Sequence, residues 1–143
     1  MGTDSNLPYF STAMRLLLPL ITTILLLHSC KKESMNPPDI SLKTSAGYTY
    51  HDTVVAPGTI LLVGVIGTKT DDPLKLIYNE VAYDGANVAS LVERIYANDN
   101  EKETFIHDFS ITTRSAVGTE RWIFNVNDKD GRLAKKEIRI TVQ

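Results

Sequence analysis

The sequence predicts an all-β fold, an antiparallel sandwich of about seven strands. Apolar and polar residues alternate with a period of two along several short runs, which is typical of half-buried strands. Gly, Pro, Asn and Asp residues interrupt the chain between these runs and predict turns. A third observation sets the start of the chain apart, because the uncharged run 16–27 precedes the only cysteine, Cys30. We therefore assign the sandwich to residues 39–143.

The first element is a segment with the three-part order of a secretory signal. Arg15 precedes the apolar run Leu16–Leu27, which is followed by a histidine, a small residue and Cys30. A transmembrane helix needs about 20 apolar residues, and this run is shorter and contains Pro19. A plain cleaved signal, an uncleaved anchor and a buried helix are the alternatives. The run is apolar on all sides and directly precedes charged residues, which favours the signal.

The end of this segment, Leu27-His28-Ser29-Cys30, resembles the lipobox of bacterial lipoproteins. The resemblance implies a signal peptide over residues 1–29, a lipidated tether over 30–38, and Cys30 as the lipidation site. Acylation also accounts for a lone cysteine in an exported protein. The implied partner is a membrane, held through lipid on Cys30, since two or more acyl chains give a stable anchor. Met14 is an alternative start of translation, because the residues before it include Asp4 and no basic residue.

Eight segments are assigned in order after the tether. Asp39–Lys43 and Leu74–Tyr78 alternate, Tyr48–Val55 is rich in aromatic and β-branched residues, and Thr59–Ile66 is almost continuously apolar. Within that apolar run we expect Leu61, Val63 and Val65 to face inward, and Ile60, Leu62 and Ile66 to lie on the other face under a loop or a partner. Residues 88–96 fit either a short helix or an edge strand, with extended structure favoured. The remaining segments are Thr104–Thr113, Arg121–Asn127 and Lys136–Val142.

The last two segments predict a hairpin around the turn 128–131. Trp122, Phe124 and Val126 fall on one face of the first strand, and Ile138, Ile140 and Val142 fall on one face of the second. Residues 118–131 together with 138–142 resemble the closing strands of bacterial immunoglobulin-like and PKD-like domains. The resemblance implies an immunoglobulin-like β-sandwich. With the lipobox and the Lys-Lys-Glu tether, the whole chain is similar to small lipoproteins of Bacteroidetes.

Composition and motifs bear on function mainly by exclusion. The net charge is −2 and no long block of like charge occurs, which argues against a nucleic-acid partner. No hydrolase elbow, phosphate loop or zinc spacing is present, so we assign no catalytic residue, metal or cofactor. His51 and His107 each adjoin an aspartate, but neighbours on a strand point to opposite faces. Both histidines are therefore interpreted as structural.

Three further features are candidate binding or modification sites. Asp128-Lys129-Asp130-Gly131 fits a hairpin turn better than a calcium loop, which needs a distal glutamate. Trp122 fits the core better than a sugar-stacking platform, for which the tyrosines at 78, 83 and 96 are better placed. Asp52-Thr53-Val54 resembles the O-glycosylation motif of secreted Bacteroidetes proteins, and the resemblance makes Thr53 a candidate site.

We expect a non-enzymatic, lipid-anchored protein of the cell envelope that acts through a protein or glycan partner. An accessory glycan-binding lipoprotein of a polysaccharide-uptake system is the first alternative, and a small periplasmic hydrolase is the second. Outer-membrane attachment facing the periplasm is favoured over the cell surface. The signature for surface export in Bacteroidetes lipoproteins is a group of acidic residues just after the cysteine. Lys31-Lys32-Glu33 does not resemble it.

Overall fold

The computed structural model describes residues 35–143, and all structural statements refer to that part of the chain. The signal-like segment and Cys30 lie outside the described residues. Eight strands are present: β1 Asp39–Leu42, β2 Thr53–Val55, β3 Ile60–Thr68, β4 Leu74–Tyr83, β5 Ser90–Tyr96, β6 Thr104–Thr112, β7 Gly118–Asp128 and β8 Leu133–Val142. One 3₁₀ turn, Asp99–Glu101, connects β5 to β6.

The strands form two sheets that pack face to face as an open, immunoglobulin-like β-sandwich. The small sheet has the order β1-β3-β6, and the large sheet has the order β2-β8-β7-β4-β5. All neighbours are antiparallel except β2, which pairs with β8 in parallel over Thr53–Val55. The predicted fold class is therefore confirmed, with one parallel edge pair that the sequence pattern did not indicate.

The core lies between the sheets and consists of residues that alternate along their strands. Each fully buried aliphatic or Phe side chain contributes about 1.5–3 kcal/mol. The predicted inward positions of β7 and β8 are all buried. The buried cluster comprises Val63, Val65, Leu74, Ile77, Val81, Phe105, Phe109, Ile111, Trp122, Phe124, Val126, Ile138, Ile140 and Val142.

The structure decides one segment that the sequence left open and shortens another. Residues Ser90–Tyr96 form an edge strand paired with β4, so the helical alternative for 88–96 is not observed. The predicted strand Tyr48–Val55 is too long, because only Thr53–Val55 pairs in a ladder. The preceding residues still run beside β3, where the Thr49 N–H donates to the Leu62 carbonyl at 2.8 Å.

The outer face of β3 is less covered than its apolar sequence predicts. Val63 and Val65 are fully buried and Leu61 packs against the core, as expected. On the opposite face Ile60 is 69% exposed and Leu62 is 37% exposed. Part of this face is crossed by Lys43, whose ammonium lies 2.7 Å from the Asp108 carboxylate. Gly64 permits the crossing, because a Cβ there would lie 2.4 Å from Lys43 Cδ.

Candidate functional site

The structure places the sequence-derived candidates in different parts of the fold. Cys30 lies outside residues 35–143, so its lipidation stays a prediction. Thr53 is half-buried at the start of the edge strand β2, and its glycosylation also stays a prediction. Asp52, directly before it, accepts a hydrogen bond from the Arg139 backbone N–H at 2.7 Å. This contact attaches the start of β2 to β8.

The two histidines and their neighbouring aspartates have separate partners. The His51 ring stands edge-on to Tyr50, and the His107 ring stands edge-on to Phe109 at 4.6 Å. Asp108 instead accepts hydrogen bonds from Lys43 and from the Tyr48 hydroxyl. The Lys43 ammonium lowers the pKa of Asp108, and Asp108 in turn raises the pKa of Lys43. This cluster holds the segment before β2 against the small sheet.

The turn at residues 128–131 is built around the buried carboxylate of Asp128. One of its oxygens accepts the backbone N–H groups of Asp130 and Arg132, both at 2.9 Å. The other oxygen accepts the Arg132 Nε–H at 2.7 Å. Arg132 also pairs with Asp72 in the turn between β3 and β4. The residues therefore form a hairpin turn that ties two loops together.

Trp122 lies in the core at 3% exposure, as its phase predicted. The three tyrosines separate into two groups that the sequence could not distinguish. Tyr83 pairs in register with the buried Glu120 and contacts Arg114. It therefore lies at the end of β4, on the face of the large sheet that is turned toward the small sheet. Tyr78 and Tyr96 instead lie on the outer face of the large sheet, the face turned away from the small sheet.

We name Tyr78, Arg94 and Tyr96 the aromatic patch. The β4–β5 register places Arg94 opposite Tyr78 and Tyr96 opposite Leu76, so all three side chains share the outer face. The Arg94 guanidinium lies 5.9 Å from the Tyr78 ring centre, within cation–π range. Partial burial, and secondarily the Glu80 charge, raises the pKa of Tyr78. Tyr96 is 61% exposed and presents its ring to solvent.

We name the space around Arg121 and Arg139 the arginine cleft. These two residues lie directly opposite each other in the β7–β8 hairpin, and Arg121 also pairs in register with Ala82 of β4. The cleft holds about 640 Å³ and is lined by Ala82, Gly85, Ala86, Asn87, Thr119, Arg121 and Arg139. Ala82 leaves room above the sheet because its side chain is short. The cleft and the aromatic patch share one face, separated by about 13 Å along β4.

One wall of the cleft is the loop after β4, and a tight turn fixes its position. Asp84 and Gly85 have φ values of 50° and 78°, and the Ala86 N–H donates to the Tyr83 carbonyl at 2.9 Å. Two consecutive positive φ values and an Asp-Gly pair are typical of a type I′ turn. Arg121 also reaches the Ala86 carbonyl at 3.4 Å. The wall is therefore attached to the floor of the cleft.

Asp84 anchors the same wall from the other side. Its carboxylate accepts hydrogen bonds from both terminal nitrogens of Arg114, at 2.6 and 2.5 Å, and from the Thr119 N–H, at 3.0 Å. The Arg114 hydrogen bonds, followed by the Thr119 N–H, lower the pKa of Asp84 to about 2. Gly118, with φ of 143°, lies where a Cβ would be 1.4 Å from Arg114 Nη2. Glycine at this position is therefore needed for the pair.

Two carboxylates, Asp52 and Glu137, line a smaller adjoining cleft of about 200 Å³ together with the two arginines. Both carboxylates already have partners. Asp52 binds the Arg139 backbone, and Glu137 lies 3.1 Å from Lys135 Nζ and 3.5 Å from Arg121 Nη1.

In residues 35–143 no group of three or more His, Cys, Asp or Glu side chains is placed to hold a metal ion. No helix in this range is long and apolar enough to span a membrane.

The chain is similar to several solved structures. No family model and no curated protein matches the chain. Among solved structures, a chitin-binding domain from Burkholderia pseudomallei is similar with a TM-score of 0.47 and 11% identity, covering 66% of this chain. The chain spans 58% of that domain's length.

Two other solved structures are similar at a comparable level. One is a chain of the complex between zinc α2-glycoprotein and prolactin-inducible protein from human seminal plasma, with a TM-score of 0.40, 9% identity and coverage of 78% of this chain and 100% of that one. The other is a β-glucosidase from Listeria innocua, with a TM-score of 0.40, 14% identity and coverage of 74% and 16%. At these scores the likenesses carry no argument about what this chain binds.

The two arginines were not predicted from the sequence, although a signal for them existed. The hairpin turn fixes which residues of β7 and β8 face each other, and Arg121 and Arg139 both fall on the polar phase of their strands. Their meeting with the loop after β4 was not visible, because that contact joins residues distant in sequence.

Proposed function

We propose that this chain is a lipid-anchored protein of the cell envelope whose sandwich is a non-enzymatic binding module. The observation that carries the proposal is the outer face of the large sheet. It presents the exposed ring of Tyr96, the half-buried Tyr78 under Arg94, and the arginine cleft side by side. Tyrosine and arginine are enriched at binding surfaces because they combine large contact area with hydrogen bonding.

The anchoring half of the proposal rests on the signal-like segment that ends at Cys30. In the described chain, Asn36 and Pro37 are attached to the turn after β3. Thr70 Oγ1 donates to their carbonyls at 3.0 and 2.9 Å. Asp71 accepts the Asn36 N–H at 2.5 Å. We propose attachment to the outer membrane on its periplasmic side.

A glycan ligand is the second candidate, as for an accessory lipoprotein of a polysaccharide-uptake system. The observation that favours it is the aromatic patch. An exposed tyrosine offers a flat apolar ring beside a hydroxyl, which suits a ligand with apolar and polar faces. A broad hydrolase screen of the full chain tests the remaining alternative.

The anchor is tested with Cys30→Ala expressed in a bacterial host that processes lipoproteins. The wild-type chain is expected in the detergent-extracted membrane fraction with an acylated Cys30 by mass spectrometry. The variant is expected in the aqueous fraction. An unacylated wild-type Cys30, or a variant that stays in the membrane fraction, contradicts the anchor.

The binding face is tested with the full chain in detergent, by glycan array and by pull-down from envelope extract. Tyr96→Ala is expected to weaken capture about thirtyfold or more, since truncation of a hot-spot aromatic at an interface costs about 2 kcal/mol or more. The matched control is Tyr50→Ala, which removes another exposed tyrosine, next to Thr49 in the segment that runs beside β3. Sugar capture without a protein partner favours the glycan candidate. Equal capture by wild type and Tyr96→Ala contradicts the assigned face.

A further inference from the structure

The arginine cleft places two positive charges directly opposite each other. In an antiparallel pair the Cβ atoms of opposed residues lie about 4.5–5.5 Å apart, and like charges in this position destabilise the sheet. Arg121 and Arg139 occupy such a pair on the outer face of β7 and β8. An anion bound between the two guanidinium groups would attract each of them and so offset their mutual repulsion.

The two guanidinium groups keep most of their hydrogen-bonding capacity. Arg121 makes two long contacts, to Glu137 at 3.5 Å and to the Ala86 carbonyl at 3.4 Å. Arg139 is held through its backbone N–H by Asp52, and within residues 35–143 no side-chain partner of its guanidinium is found. Each guanidinium has five N–H donors in a fixed planar arrangement. Donors therefore remain available on both residues.

The shape and charge of the cleft also suit an anion. Its volume of about 640 Å³ falls within the range of ligand pockets. No acidic residue lines it, and Asn87 and Thr119 add polar side chains at its rim. Asp52 and Glu137 line the adjoining smaller cleft with the same two arginines. Asp52 accepts the Arg139 backbone N–H, and Glu137 lies closer to Lys135, at 3.1 Å, than to Arg121, at 3.5 Å.

We propose that the arginine cleft binds an anionic group of the ligand, a carboxylate, sulfate or phosphate, between Arg121 and Arg139. The planar guanidinium matches two oxygens of such a group at once. This inference rests on the proposed binding function and specifies the ligand chemistry at one part of the binding face. The aromatic patch would contact a neutral part of the same ligand.

The test is calorimetric titration of the full chain in detergent at constant ionic strength. The probes are glucuronate, sodium sulfate and sodium phosphate, with glucose and sodium chloride as uncharged and monatomic controls. Saturable binding of at least one oxyanion is expected, and the order of affinity identifies the group. Arg139→Ala is expected to bind it about tenfold more weakly, since a charge-assisted hydrogen bond is worth about one power of ten or more. Arg121→Gln is expected to act in the same direction.

Two further variants make the result specific. Arg139→Lys keeps the charge but lacks the planar group, so an intermediate affinity is expected. Lys136→Ala removes one charge from the same strand at an exposed position paired with Phe124, away from the outer face, and is expected to leave affinity unchanged. Circular dichroism of each variant checks that the sheet content is preserved.

The outcomes separate this inference from the proposed function. Absence of saturable oxyanion binding, equal affinity of wild type and Arg139→Ala, or equal binding of glucose and glucuronate overturns the anion site. If the anion site fails while Tyr96→Ala still loses capture of the partner, the proposed function stands. If anion binding follows the arginines while Tyr96→Ala captures as wild type does, the anion site stands and the wider binding face fails.

Discussion

The indole nitrogen of Trp122 donates a hydrogen bond to the buried carboxylate of Glu120 at 2.8 Å. The two residues are two apart on β7, so both point into the sandwich. The other Glu120 oxygen accepts the Arg114 backbone N–H at 2.7 Å. A carboxylate with 0% exposure is therefore satisfied by the core's tryptophan and by the chain before β7. This contact connects the packing of the core to the segment that carries Arg114 and the wall of the cleft.

Replacing Glu120 with alanine is expected to lower the free energy of unfolding by about 2–4 kcal/mol, because two buried N–H donors lose their acceptor. Glu120→Gln keeps one acceptor oxygen and is expected to lose less. Urea unfolding followed by far-ultraviolet circular dichroism measures both. Trp122→Phe removes one of the donors, so Glu120→Ala should cost less in that background. A Glu120→Ala variant as stable as wild type would contradict this account.

Gly118→Ala is expected to destabilise the fold by about 1–3 kcal/mol through backbone strain, with a further loss because Cβ displaces Arg114. Gly47→Ala is the matched control. It has a positive φ of 91° and no atom within 4 Å of an added Cβ, so it reports strain alone. The difference between the two variants measures displacement of Arg114. In Gly118→Ala the pKa of Asp84, measured by NMR, should return toward its ordinary value. Equal losses in both variants would argue against the displacement.

The ion pair between Asp84 and Arg114 predicts a specific dependence of stability on pH. Because folding lowers the pKa of Asp84 from 3.8 to about 2, its contribution is fully present above the unfolded pKa. That contribution is lost as the pH falls from about 4 to about 2. Asp84→Asn should therefore flatten the loss of stability in this window, measured by urea midpoints at several pH values. Arg114→Ala should flatten it less, because the Thr119 N–H still lowers the pKa of Asp84, and the double variant should flatten it no further than Asp84→Asn. A steeper slope in either single variant would refute the assignment.

Arg132 is expected to be the most sensitive residue of the two joined turns. Arg132→Ala leaves the buried carboxylates of Asp128 and Asp72 without their guanidinium, and about 2–4 kcal/mol of stability should be lost. Arg132→Lys keeps a charge but cannot bind both carboxylates at once, so its loss should be smaller. Lys129→Ala removes an exposed partner of Asp72 and should cost less than about 1 kcal/mol. Thermal unfolding ranks the three variants, and a Lys129→Ala loss equal to that of Arg132→Ala would contradict the ranking.

Much of the fold was accessible from local pattern. The hairpin of β7 and β8, its turn and its inward residues follow from alternation and turn chemistry, which depend on neighbouring residues only. The end of the segment before β2 could not be predicted in this way, because Tyr48–Asp52 has a strand-like composition. It is held by contacts with Lys43, Asp108 and β3 and not by a ladder of backbone hydrogen bonds. In residues 88–96 the apolar residues fit both the helical and the strand periodicity, and pairing with β4 makes the segment a strand.

The sequence by itself determined the all-β sandwich, the core phase of Trp122 and its neighbours, and the chemical character of the segment ending in Cys30. These depend on the order of residues along the chain. Only the tertiary structure decided that Tyr78 and Tyr96 share a face while Tyr83 does not, and that Arg121 and Arg139 open into a cleft under the loop after β4. The physical reason is that a surface site is assembled from strands whose order in the sheet is not written in their local periodicity.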